Sequence, residues 1–97
     1  MVSRRTNTAY IIAKTGMIIY TKSLALELIK EKITVNVVSP GVAENSWDLE
    51  EMISKLPAKR PATLLEINHA VGFFINPNSD YITGQILEFS GGCSLWL

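Results

Sequence analysis

Residues 9 to 31 contain no proline, and the first half of that run is apolar on almost every side. Its second half, "KSLALELIKEK", is built from strong helix formers, so the pattern predicts one long helix. A surface helix shows a single apolar stripe. Here Ile11, Ile12, Ala13, Gly16, Met17, Ile18, Ile19 and Tyr20 leave no room for a wet face. The helix is therefore expected to be covered on more than one side, by a sheet and by a further layer.

A sheet strand follows at once. "ITVNVVSPG" packs β-branched Ile33, Thr34, Val35, Val37 and Val38 into one short run ended by Pro40-Gly41, which predicts a buried strand over Ile33 to Val38. A short helix is predicted from Trp47 to Leu56, with Ser46 as its cap and Asp48, Glu50 and Glu51 at the positive end of its dipole. Pro57 and Pro61 bracket a basic linker. Thr63-Leu64-Leu65-Glu66 then has the form of a capping box. Ile67, Ala70, Val71 and Phe74 continue at helical spacing until Asn76-Pro77 stops them, with His69 on the opposite, solvent-facing side. Gly84 permits a tight turn, Gln85 to Phe89 read as a strand, and Gly91-Gly92 free the backbone beyond it.

The order helix, strand, short helix, helix, strand returns one strand beside another through helices. That implies a parallel pair with a right-handed crossover and an α/β fold. Ligands of such sheets collect beyond the carboxyl ends of the strands, where this chain has Pro40-Gly41 and Gly91-Gly92.

Composition narrows the function classes. At 97 residues the chain is one domain at most, and a chain of this size hides only about 60–65% of its unfolded surface, so a thin core is expected. It is 47% hydrophobic, which is too apolar for a disordered segment. Nine basic and nine acidic residues cancel, leaving no field to gather nucleic acid or an anionic membrane surface. The longest nearly apolar stretch, residues 9 to 20, is interrupted by Lys14 and is too short to span a bilayer. A cytoplasmic location is expected. Cys93 is the sole cysteine, so neither an internal disulfide nor a thiolate metal site is expected, and no metal is assigned.

The polar residues that stand out are Tyr10 and Lys14. Four positions apart on a helix, they lie one turn apart on nearly one face. A free phenol titrates near about 10, and a charged ammonium close by favours the phenolate, which suits the pair to acid/base work. With three tyrosines and six lysines in the chain, one such spacing arises easily by accident. Its neighbours give it weight.

Taken in order, "YIIAK", "KSLALEL", "ITVNVVSPG", "KRPATLLEI" and "YITGQILEFSGG" resemble the C-terminal part of the short-chain dehydrogenase/reductase family, over residues 8 to 92. The similarity extends to members that include the 3-oxoacyl-carrier-protein reductases. The resemblance implies the C-terminal part of a Rossmann-like, doubly wound fold, with residues 1–97 forming one partial domain and residues 42–62 a lid over the substrate. It implies a nicotinamide cofactor, NAD or NADP, and a small carbonyl or alcohol substrate. It makes Tyr10 the general acid/base and Lys14 the residue that tunes it and binds the nicotinamide ribose. Pro40 and Gly41 would pass beside the nicotinamide, the Val42 backbone would bond its carboxamide, and Asn45 or Ser46 would stand where the family often has a cofactor-binding threonine. Ser90 replaces the family's aspartate before the last Gly-Gly.

None of the six glycines forms a G-x-G, so the family's phosphate-binding turn is expected to come from outside this chain, and the chain alone is expected to be inactive. Its partner would be a complementing N-terminal half or further copies of itself. The competing expectation is a truncated, non-catalytic association module, with the long apolar helix as its interface.

Overall fold

A computed structural model describes residues 8–41 and 49–89, and the backbone alone of Tyr10, Leu49, Met52 and Lys55. The elements are α1 (Thr8–Leu28), a 3₁₀ turn (Ile29–Glu31), β1 (Val37–Pro40), α2 (Leu49–Lys55), α3 (Leu64–Ile75), a second 3₁₀ turn (Pro77–Ser79) and β2 (Ile86–Phe89). β1 and β2 pair as a two-stranded sheet. Val37 N–H donates to Gln85 O at 2.9 Å and Gly41 N–H to Phe89 O at 3.0 Å, so both strands advance together and the pair is parallel. The expected α/β class and element order are those observed. Ser46, Trp47, Gly91, Gly92 and Cys93 lie outside the described residues.

The described residues fall into two compact units, 8–37 with 74–86, and 38–41 and 49–73 with 87–89. In the first, α1 ends in a Schellman motif. Ile33 N–H donates to Leu28 O at 3.2 Å, Lys32 N–H donates to Ile29 O at 2.9 Å, and Lys32 takes the left-handed conformation at φ 60, ψ 33. The strand therefore starts later than Ile33. The Ile33 amide belongs to the helix cap, and the next residues are held by side chains rather than by a ladder. Val35 N–H donates to Thr83 Oγ1, while Asn36 donates through Nδ2 to Ile82 O and accepts through Oδ1 from Gln85 N–H. Regular pairing begins only at Val37 and runs on to Pro40.

Thr21 and Ala25 are the buried residues of α1, with Ala25 2% exposed. Gly84 lies against Ala25 at φ +70, where a Cβ would stand 3.5 Å from that of Ala25. The expectation that α1 is covered on several sides is not met: Ile12 and Tyr20 are each 66% exposed and Leu26 79%. Among the described side chains of α1 the cover falls on one stripe, with Thr21 and Ala25 buried and Ile18, Leu24 and Leu28 half-buried.

In the second unit Leu56 is 2% exposed and ends α2, its N–H donating to Ile53 O at 3.1 Å. The basic linker folds back on that end. Lys59, at φ 60, donates through its backbone to Leu56 O and through Nζ to Ser54 O.

The start of α3 is the capping box expected from the sequence: Thr63 Oγ1 accepts from Glu66 N–H at 3.1 Å, and Glu66 Oε1 accepts from Thr63 N–H at 3.0 Å. Along α3, Ala70 is buried and Ile67 and Phe74 half-buried, whereas Val71 turns outward. His69 is exposed, as expected. Among the described residues the buried hydrophobic side chains are Ala25, Leu56 and Ala70, which is the thin core that the chain's length implied.

Candidate functional site

Tyr10 and Lys14 both lie within α1, two residues and six residues past its first residue, Thr8. The helix continues unbroken through them because no proline interrupts it and straight-chain residues dominate its second half. At 1.5 Å and 100° per residue, positions 10 and 14 stand about 6 Å apart along the axis and about 40° apart around it. Lys14 is half-buried. The Tyr10 side chain is not among those described.

A helix gives this pair its chemical use. The separation is held by the backbone hydrogen bonds of one turn, so it does not depend on a loop. Both residues also sit in the apolar half of α1, beside Ile11, Ile12 and Met17. In the structure those three side chains are themselves exposed, so solvent reaches this half of the helix.

Pro40 is the last residue of β1 and is half-buried; Gly41 follows it as an exposed bend whose N–H is committed to Phe89 O. The chain thus leaves the sheet at the carboxyl end of a strand, through a residue with no N–H and a residue with no side chain. That is the kind of backbone a flat ring can approach closely. Val42 and Asn45, the other two candidate cofactor residues, lie outside the described residues, as does the first part of the 42–62 segment.

Tyr10 and Lys14 belong to the first unit, one turn apart on α1, and Pro40-Gly41 to the second, at the carboxyl end of β1. No glycine-rich phosphate-binding turn occurs among the described residues, where the glycines are Gly16 and Gly72 inside helices, Gly84 packed on Ala25, and Gly41. No group of three or more His, Cys, Asp or Glu residues able to hold a metal occurs among the described residues. No described helix is long and apolar enough to cross a membrane.

Two polar clusters escaped the sequence reading. Arg60 donates to both carboxylate oxygens of Glu66, at 2.8 and 3.0 Å. The second cluster centres on Gly84, whose carbonyl accepts from Lys22 Nζ at 2.8 Å. Arg60 is six residues from Glu66 across Pro61, at no helical spacing, and Lys22 meets a backbone atom 62 residues away. Neither pairing leaves a local signal.

Residues 1–94 match the family model described as enoyl-(acyl carrier protein) reductase. The chain is 39% identical over 92 residues to a 3-oxoacyl-(acyl-carrier-protein) reductase of Buchnera aphidicola subsp. Baizongia pistaciae, covering 88% of this chain and 38% of that relative. It is 35% identical over 95 residues to nodulation protein G of Rhizobium sp. (strain N33), covering 91% of this chain and 39% of that relative. In three dimensions it resembles the crystal structure of a short chain dehydrogenase family protein from Francisella tularensis, with a TM-score of 0.77 at 30% identity, over 90% of this chain and 43% of the other. The chain spans about two fifths of the length of the curated relatives it matches.

Proposed function

The chain belongs to the short-chain dehydrogenase/reductase family, and on that premise we propose that it carries the acid/base half of an NAD- or NADP-dependent oxidoreductase acting on a carbonyl or alcohol. The observation that carries this reading is the placement of Tyr10 and Lys14 one turn apart on a continuous helix. In the reductive direction the Tyr10 hydroxyl gives its proton to the substrate's carbonyl oxygen; in the oxidative direction its oxygen takes the proton from the alcohol. Lys14 holds positive charge beside the phenol, favours its ionised form, and donates to the ribose hydroxyls of the cofactor. The bound nicotinamide supplies or accepts the hydride. By the family resemblance, Pro40, Gly41, Val42 and Asn45 would flank it, with the Val42 backbone bonding its carboxamide. The resemblance would make residues 42–62 the lid over the substrate.

The matched stretch accounts for 38% of the Buchnera relative, so the pyrophosphate-binding part of the site is supplied from outside these 97 residues. We assign that role to a complementing N-terminal half, in the cytoplasm, where a chain with one cysteine has no need of disulfides.

The test is reconstitution. The purified chain is titrated with NADH and NADPH while nicotinamide fluorescence is followed, then again after mixing with the N-terminal portion of a reductase relative, and turnover is measured on a 3-oxoacyl thioester. Binding and turnover are expected only in the mixture. Full turnover by a Tyr10→Phe mixture would remove the catalytic assignment.

A second reading is favoured by one observation, the exposure of Ile12, Ile19, Tyr20 and Leu26 on α1: the chain serves as a non-catalytic association module. It calls for no nicotinamide signal in either titration and for a sedimenting mass that rises with concentration.

A further inference from the structure

We infer that Lys22 is a positioning residue, whose ammonium pins α1 to the carbonyl of Gly84 and thereby sets where Tyr10 and Lys14 stand. The inference rests on the oxidoreductase reading of those two residues. Its starting point is the 2.8 Å hydrogen bond from Lys22 Nζ to Gly84 O.

The accepting carbonyl is a fixed point. Gly84 is buried, and its own N–H donates to Val35 O at 2.8 Å. On either side of it, Thr83 Oγ1 accepts from Val35 N–H and Gln85 N–H donates to Asn36 Oδ1. The Asn36 amide also donates to Ile82 O. Four bonds from two consecutive residues at the entrance to β1 therefore hold residues 82 to 85, and a group bonded to Gly84 is anchored to the start of the sheet.

The rest of the contact between α1 and this turn does not supply such an anchor. Ala25 faces Gly84, a methyl group against a residue without a side chain, and the Thr21 hydroxyl is spent on its own helix, donating to Met17 O at 2.7 Å. Small, smooth surfaces fix how near the helix lies. The half-buried Ile18, Leu24 and Leu28 of α1 add apolar burial, which is non-directional, whereas a charge-assisted hydrogen bond favours one position along the axis.

A slide at Lys22 is passed along a rigid rod. Lys14 and Tyr10 stand 8 and 12 residues toward the N-terminus in the same helix, about 12 and about 18 Å along the axis. Misplacing a reacting group by an ångström costs on the order of a hundredfold in rate. Lys22 thus acts through Tyr10 and Lys14 without touching the substrate.

Lys22→Met keeps the aliphatic stem and removes the donor, while Lys22→Arg keeps a donor. In the 97-residue chain, amide hydrogen exchange at Gly84 and Gln85 is expected to rise about tenfold in Lys22→Met, to stay near the original rate in Lys22→Arg, and to be unchanged in both at Glu66 in the other unit. Unchanged exchange at Gly84 and Gln85 would overturn the anchor.

In the reconstituted enzyme, kcat is expected to fall about 10- to 100-fold in Lys22→Met, with a larger isotope effect from C4-deuterated reduced cofactor, and to recover in Lys22→Arg. A rate loss with an unchanged isotope effect means less folded enzyme, and it would refute positioning. If the original chain turns over and Lys22→Met matches it, this inference alone falls. If the original mixture is inactive, the oxidoreductase reading falls and takes the role of Lys22 with it.

Discussion

Arg60 grips both carboxylate oxygens of Glu66, and the same carboxylate accepts the N–H of Thr63 at the head of α3. The Arg60 bonds first, and the Thr63 backbone N–H second, hold the Glu66 carboxyl at about 2, well below its usual 4.5. A depressed carboxyl contributes stability above its unfolded pKa and loses it as pH falls through the folded one. The window here is pH 4.5 down to about 2. Both side chains are largely solvent-exposed, so the effect on global stability is small and the useful readout is local. Amide protection in the first turn of α3, taken relative to the intrinsic exchange rate at each pH, is expected to fall on acidification through that window. Glu66→Gln keeps an acceptor for Thr63 but loses the charge, and the acid dependence is expected to vanish with it.

Lys32 caps α1 in a conformation that favours glycine, at φ 60. Replacing it removes the steric cost of the left-handed region and restores part of it as chain entropy in the unfolded state. Lys32→Gly is expected to stabilise the chain by about 0.5–1 kcal/mol and to raise the melting temperature by several degrees. A lower melting temperature would show that the Lys32 charge at the helix C-terminus outweighs the strain.

Gly84 makes the opposite case. At φ +70 an alanine is strained by its own backbone, whereas its Cβ would meet Ala25 at 3.5 Å, an ordinary contact. The cost of Gly84→Ala is therefore conformational, about 1–2 kcal/mol, and urea midpoints should order the variants Gly, then Asn, then Ala. An equal loss for Asn and Ala would point to crowding against α1 instead.

What was legible in the sequence tracks how local the interaction is. Thr63 and Glu66 are three residues apart and Tyr10 and Lys14 four, so the capping box and the helical pair could be written down before any coordinates. The need for Gly84 at a turn was equally plain. The start of β1 was misplaced because Thr83, Ile82 and Gln85, 46 to 49 residues away, claim the polar groups of Val35 and Asn36. Periodicity has no access to such pairings. The apolar all-round character of α1 is a property of composition, but the cover it calls for does not come from the described residues, which leave Ile12, Tyr20 and Leu26 exposed.

The proposed catalytic pair, Tyr10 and Lys14, yields the prediction with most at stake. In the reconstituted enzyme Tyr10→Phe deletes one oxygen, leaving the helix and its neighbours in place, so cofactor binding should survive while turnover falls by about 10²–10⁴-fold, the range of a lost general acid. On the proposed function Lys14→Met should weaken both, because the ammonium would serve the phenol and the ribose together. For alcohol oxidation the sign follows from charge: without the ammonium the phenolate is less favoured, so the pH at which the rate reaches half its plateau moves upward. Comparing rate profiles for the original chain and Lys14→Met checks this directly. A fall in rate with no upward movement would leave Lys14 as a binding residue alone and would separate two roles that the family resemblance assigns to it jointly.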